Sequence, residues 1–336
     1  MTLAIVGLGF MGATHLKAAM AIPGLKLAVV SRDDKKLSGD LSSVAGNMSG
    51  FESQMDFSAL RAYRSFPEAL LDPDVDAVDL CLPTALHESF AIEALRAGKH
   101  VMVEKPMGLD RASCDRMIHE AEKAGRVLMS AQVLRFFPAY AALKDWVETG
   151  RAGQIHAATL RRRCAAPGWG PWLKDKAQSG GGVFDLLIHD IDMAQYLFGM
   201  PYSVSATGHE DLANQIDVMI AQLYYPKFTV NISGGWHHEG FPFSMEFSVV
   251  GETGTMEYHV RDPHPTLFQA GQASQEVAPS EVIDGYRAEI EYFVECAAKN
   301  QQPDRCLPQD SARAVALAQL LLESRSRQGE KLLCQI

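Results

Sequence analysis

Asp185, His189 and Asp192 stand at helical intervals in one stretch, Gly180-Gly-Gly-Val-Phe-Asp-Leu-Leu-Ile-His-Asp-Ile-Asp192. Apolar residues recur through Leu186, Leu187, Ile191, Ala194, Leu197 and Phe198, and Gly199 and Pro201 supply a stop, so the spacing predicts a helix over 183–198. On a helix Asp185 and His189 lie one turn apart and Asp192 follows on roughly the same face. An imidazole and a carboxylate in register, behind glycines that let a ligand approach closely, suit acid–base work. The same spacing also suits a half-buried helix whose acids are solvated or cap nearby backbone.

A second set of residues suits a dinucleotide. Leu3–Val6 is a short apolar run, and Gly7-Leu-Gly-Phe-Met-Gly12 follows it and opens a helical pattern. In a strand–turn–helix context Gly-x-Gly-x-x-Gly has a mechanism. Gly7 permits the turn, Gly9 lets backbone approach a pyrophosphate, and Gly12 lets helix and strand pack. Phe10 and Met11 belong to the same loop and are assigned with it to cofactor contact. The helix N-terminus would offer free N–H groups to the anion.

The strand Leu25–Val30 should end at an acid if a ribose 2′-hydroxyl is read there. Ser31 and Arg32 stand instead, which suits a 2′-phosphate and points to NADP in preference to NAD. Asp33 and Asp34 leave ribose recognition open. Pro83 and Thr84 follow the strand Ala77–Leu82, with His87 at the start of the next helix, about 87–97. His87 is expected near the cofactor as a helix-start residue. Glu104-Lys105-Pro106 closes the buried strand His100–Val103. Lys105 there would reach the cofactor crevice, Glu104 could fix its ammonium, and the peptide before Pro106 is a candidate for the cis form. An ordinary charged strand end is the plainer alternative.

The elements that must position these residues divide the chain in two. The 336 residues are 47% hydrophobic and 21% charged, which allows two domains with their own cores. We place a dinucleotide-binding domain at 1–132 and a substrate and assembly domain at 133–336. Residues 33–65 read as a helix and a long irregular connection. Beyond 133, residues 138–149 read as helix, and Gln154–Arg163, Tyr202–Thr207, Asp217–Tyr225, Thr229–Trp236, Ser244–Gly251 and Thr255–Val260 as strands. Gly251-Glu-Thr-Gly254 reads as a hairpin turn, and Tyr286–Lys299 and Gln309–Arg327 as amphipathic helices. Arg161-Arg162-Arg163 reads as a strand end or subunit contact in preference to a phosphate site.

A formal net charge of −10 argues against a nucleic-acid or anionic-membrane partner. Six scattered cysteines form neither metal-knuckle spacing nor a disulfide framework, so no metal is expected and a cytoplasmic location is. No apolar run reaches membrane-spanning length, and the N-terminus lacks a basic n-region.

In this order and spacing the motifs resemble the Gfo/Idh/MocA oxidoreductase family. They are Gly7–Gly12, Pro83-Thr84 with His87, Glu104-Lys105-Pro106, and Gly180–Gly182 with Asp185, His189 and Asp192. The resemblance spans nearly the whole chain. It implies an α/β fold: an N-terminal Rossmann domain, then an α/β domain with a large, mostly antiparallel open sheet through which a homodimer or homotetramer forms. It also implies that Lys105, Asp185 and His189 form a catalytic triad. Ser31 departs from the family's NAD-using members, which carry an acid there.

The expected function is hydride transfer between nicotinamide and a hydroxyl or carbonyl of a sugar, polyol or sugar-like compound. Trp169, Trp172 and Trp236 are candidates to line its pocket, since sugar C–H faces pack on indole; Trp169 and Trp172 suit core packing equally. The alternatives are a non-catalytic sensor of the same fold and a redox-assisted glycoside hydrolase.

Overall fold

The computed structural model describes residues 1–46, 53–168, 170–279 and 283–335. They form two compact units. The first comprises Met1–Val133, Pro167–Pro171 and Asp284–Ala312. The second comprises Leu134–Ala166, Trp172–Ile283 and Arg313–Ile336. Residues 284–312 therefore belong with the first unit, whereas the sequence placed them in the second domain.

The first unit is built on six parallel strands: β1 (Thr2–Val6), β2 (Lys26–Val30), β3 (Arg61–Tyr63), β4 (Ala77–Leu80), β5 (His100–Glu104) and β6 (Leu128–Ala131). Their order is β3-β2-β1-β4-β5-β6. Strands β1, β4, β5 and β6 are buried at every position, as an apolar parallel sheet covered on both faces must be. The helices are α1 (Phe10–Met20), α2 (Asp34–Leu37), α3 (Phe66–Leu71), α4 (His87–Arg96) and α5 (Arg111–Ala124). A late helix, α9 (Gly285–Lys299), packs against α1. Strand order reverses between β1 and β4, and a doubly wound sheet binds ligands at the strands' carboxyl ends there. The loops after β1, β2, β4 and β5 all leave from that edge. They carry Gly7–Gly12, Ser31-Arg32, Pro83-Thr84 and Lys105. The connection 33–65 holds α2 and the three-residue β3, which has no alternating run to reveal it.

The second unit is a nine-stranded sheet. Its strands are β7 (Ile155–Ala165), β8 (Ser203–Asp211), β9 (Ile216–Tyr224), β10 (Thr229–His237), β11 (Ser244–Gly251), β12 (Thr255–His259), β13 (Thr266–Phe268), β14 (Gln275–Glu276) and β15 (Leu332–Leu333). They are ordered β14-β13-β12-β11-β7-β10-β9-β8-β15. All neighbours run antiparallel except β10 and β7. Burial alternates along β7 and β9, so one sheet face carries the core and the other stays open. The remaining helices are α6 (Pro138–Glu148), α7 (Lys176–Ser179), α8 (Gly182–Phe198) and α10 (Pro308–Ser326). Helix α8 lies on β7, β9 and β10. The turn Gly251–Gly254 joins β11 to β12, with the Gly251 N–H donating to the Gly254 carbonyl at 2.8 Å.

Among the described residues no helix is long and apolar enough to cross a membrane. No disulfide joins the cysteines among the described residues.

Candidate active site

The glycine loop has the geometry its spacing requires. Gly7 has φ of 92°, and a Cβ there would press on the Cys81 carbonyl oxygen at 2.6 Å. A Cβ on Gly12 would overlap the Gly7 carbonyl oxygen, so only glycine lets α1 pack on its turn. On Gly9 a Cβ would meet nothing within 4 Å among the described residues. Gly9 is also the N-cap of α1, with no side-chain cap and no acid in the first turn. The donors of that helix end therefore suit an anion. Phe10 and Met11 are half-exposed at the start of α1, and Gly46 lies against the Phe10 ring.

At the end of β2 the acids are already engaged. Asp33 accepts the Lys35 N–H at 3.0 Å as the cap of α2, and Asp34 pairs with Arg64 at 3.1 Å. Ser31 Oγ accepts the Asp33 N–H at 3.1 Å, which leaves its hydroxyl proton to donate. Arg32 is exposed. Lys36, which the sequence analysis passed over, reaches the glycine loop and donates from Nζ to the Leu8 carbonyl at 2.8 Å.

Past β4, Thr84 is buried and opens a short 3-10 turn. His87 is fully buried, with Nδ1 2.9 Å from the Pro106 carbonyl and Nε2 2.8 Å from the Leu82 carbonyl. Burial holds its pKa below the usual histidine value. Its ring braces the loop after β4 against the loop after β5. The Lys105–Pro106 peptide is cis. Lys105 is half-buried at the carboxyl end of β5. Glu104, expected beside the cofactor, turns inward. One oxygen accepts the Lys105 N–H at 2.8 Å, and the other lies 3.1 Å from His15 Nε2.

In the second unit, α8 begins at Gly181, whose φ of 95° excludes most side chains, and no local side chain caps it. Asp217 of β9 accepts the Val183 N–H at 2.9 Å, and Arg325 Nη1 donates to the other Asp217 oxygen at 2.5 Å. Asp185 and His189 are half-buried, one turn apart. Asp192 does not join them. It is 1% exposed and receives two hydrogen bonds from Arg135, at 2.6 and 2.8 Å. Asp190 is spent likewise on the buried Arg162 at 2.8 Å.

The run 161–163 is thus three strand residues paired with two acids: Arg162 with Asp190, and Arg161 and Arg163 both with Glu246. Trp236, a candidate pocket residue, is 1% exposed and packs on Cys164, Leu173 and Leu186, with its indole against Gly182; it holds α8 in place. Trp172 is half-buried against the same cluster. Trp169 lies outside the described residues.

Sequence spacing showed no ligand cluster, yet the fold gathers His15, Asp79 and Cys81 in the first unit. His15 Nδ1 lies 2.8 Å from Asp79 Oδ2, a hydrogen-bond distance. Two ligands on one tetrahedral zinc stand roughly 3.3 Å apart at ordinary bond lengths. The cluster is an ion pair.

A family model described as an oxidoreductase family with an NAD-binding Rossmann fold matches residues 1–132, and the GFO/IDH/MocA C-terminal domain matches 140–257. Myo-inositol 2-dehydrogenase of Thermotoga maritima is 30% identical over 263 residues, 76% of this chain and 74% of that protein. The chain belongs to the Gfo/Idh/MocA oxidoreductase family. Scyllo-inositol 2-dehydrogenase (NAD(+)) of Bacillus subtilis is 28% identical over 89% of this chain and 87% of that protein. Levoglucosan dehydrogenase in complex with NADH has the same fold, with a TM-score of 0.84 at 19% identity over 100% of both chains. Within the family, the chain is a nicotinamide-dependent oxidoreductase.

Proposed function

We propose that this oxidoreductase interconverts a hydroxyl and a carbonyl on a sugar, polyol or sugar-like compound, with NADP(H) preferred to NAD(H). One observation carries the assignment of roles. Of the three aspartates and one histidine on α8, Asp190 and Asp192 are buried in arginine pairs, while Asp185 and His189 are half-exposed one turn apart. The names of the relatives, inositol dehydrogenases among them, support the substrate class.

Bound nicotinamide supplies the hydride acceptor or donor. His189 takes or gives the proton at the reacting oxygen, the role an imidazole most often fills in acid–base catalysis. Asp185 orients that imidazole and holds a neighbouring hydroxyl. Lys105 places a positive charge where alkoxide charge develops. The cofactor preference rests on Ser31 and Arg32 and on the prior engagement of Asp33 and Asp34. Pro83, Thr84 and His87 shape the loop beside the glycine turn. We assign Trp172 to the substrate side of its cluster. The open face of the nine-stranded sheet, with Ile220 of β9 64% exposed, is assigned to self-association as a dimer or tetramer. A cytoplasmic location fits the absence of disulfides among the described residues.

Fluorescence titration with NADPH and NADH tests the cofactor, and a polyol and sugar screen with the preferred one tests the substrate class. Lys105→Met and His189→Ala are each expected to lower kcat by about 100-fold or more while dinucleotide binding survives. Near-normal turnover in both variants would overturn the assignment, and tighter NADH binding would overturn the NADP preference.

A further inference from the structure

The chain places a fully buried histidine directly behind Lys105. His15 sits on α1, three residues after Gly12, with no exposed surface. Its Nδ1 is 2.8 Å from Asp79 Oδ2 and its Nε2 is 3.1 Å from Glu104 Oε1. The register pairs Asp79 with Met102, so Asp79 and Glu104 share one sheet face. A neutral imidazole has one N–H, and an ionised carboxylate only accepts. A carboxylate oxygen against each ring nitrogen, Asp79 at hydrogen-bond and Glu104 at ion-pair distance, therefore favours the imidazolium.

The remaining groups around the ring agree. The Cys81 thiol donates to the other Asp79 oxygen, with its sulfur 3.6 Å from that oxygen and from His15 Nδ1. From α9 come Tyr286, its ring centroid 6.0 Å from that of His15, and Glu289. Burial pushes the Glu289 carboxyl well above the usual carboxylate range, toward its neutral form. Burial opposes charge on His15, but Asp79 and Cys81 more than offset it and raise its pKa well above the usual value. Burial also opposes charge on Glu104, and His15 and Lys105 hold it below the usual carboxylate range.

We propose that His15 is a positioning residue for Lys105: the imidazolium fixes the Glu104 carboxylate, and that carboxylate holds the backbone of Lys105. This rests on the catalytic assignment of Lys105 made above. The contacts run through Asp79, His15, Glu104 and the Lys105 N–H: the His15–Glu104 step is an ion pair at 3.1 Å, and the last is a hydrogen bond of 2.8 Å. Helix α1, which offers its N-terminus to the dinucleotide, thereby also sets the strand end that presents Lys105. Without the imidazolium, Glu104 would be buried beside Asp79 with Lys105 as its remaining counter-charge. It would then take up a proton or swing out, and the Lys105 peptide would lose its fixed acceptor.

The test uses the full-length protein. In wild type labelled with 15N in its imidazoles, the His15 ring should carry protons on both nitrogens at pH 8. His15→Gln and Glu104→Gln should each lower kcat roughly 10–100-fold on the substrate found by the screen, with KM and dinucleotide Kd changed less than about threefold. Because one acts through the other, the double variant should be no slower than the slower single variant. A neutral His15 ring at pH 8, normal kcat in both single variants, or losses that multiply in the double variant would overturn the proposal. If His15→Gln does not fold, the imidazole spectrum and Glu104→Gln decide it. Activity retained in Lys105→Met would defeat the catalytic assignment; an inactive Lys105→Met beside normal His15 and Glu104 variants would defeat this proposal alone.

Discussion

Asp192→Asn is the sharpest test of how α8 is held. The pair it breaks is closed to water: the Arg135 and Asp192 side chains are 0% and 1% exposed, and both bonds are short, at 2.6 and 2.8 Å. Arg135 also lies over the Tyr196 ring, 4.4 Å from its centroid, so the guanidinium is fixed on a second side. An asparagine fills the same volume but leaves the buried guanidinium without its counter-charge. Removing one partner of such a pair costs roughly 3–5 kcal/mol. At about 2–4 °C per kcal/mol for a unit of this size, the second unit should melt roughly 6–20 °C lower. The assay is thermal and urea denaturation of wild type, Asp192→Asn and the double variant Arg135→Met/Asp192→Leu. The double variant, which removes both charges, should recover most of the loss. A single variant within about 1 kcal/mol of wild type would refute the reasoning, because the pair would then be no better than a surface bridge.

Gly12→Val should abolish tight dinucleotide binding while the second unit keeps its melting transition, because the added Cβ overlaps the Gly7 carbonyl oxygen. A fluorescence titration with unchanged Kd would contradict it. Glu289→Gln should flatten the dependence of stability on pH. Burial raises the folded pKa of Glu289 above its unfolded value, so folding retains a proton that the unfolded chain has released. That contribution is full below the unfolded pKa and is lost as pH rises toward the folded one, at up to about 1.4 kcal/mol per pH unit. Wild type should therefore lose stability relative to the variant between pH 5 and 8 in urea denaturation; parallel curves would show that Glu289 is ionised in the fold.

What was legible in the sequence was local. Gly7–Gly12 declares its turn because all three constraints fall within six residues, and α8 declares itself by apolar spacing and the Gly199 stop. The linkage of His15, Asp79 and Glu104 joins residues 64 and 89 positions away from His15, and no periodicity reaches that far. A signal existed all the same: Asp79 lies inside an otherwise apolar buried strand, which demands a partner. Tyr286–Lys299 read as an amphipathic helix, but such a pattern says only that one face is covered and does not say by what. Asp192 shows the same limit. Its angular phase on α8 was correct, but it lies about 4.5 Å farther along the axis than His189, where the helix is closed over by Arg135.

Glu104 was misassigned for a different reason, one the sequence did contain. Glu104 and Lys105 are adjacent at the end of an extended strand, and adjacent strand residues point to opposite faces. If Lys105 serves the ligand edge, Glu104 turns toward the helix layer. There the only stable carboxylate is a paired one, and an acid closing an all-buried strand requires a cation on a covering helix. His15 is the sole titratable residue on α1 apart from Lys17, and Lys17 is exposed in the last full turn. The alternation rule, applied to the Glu-Lys pair, would have turned Glu104 toward a covering helix, and His15 of α1 is the partner it meets there. It also separates two roles that the motif presents side by side: one residue meets the chemistry, and its neighbour holds it in place.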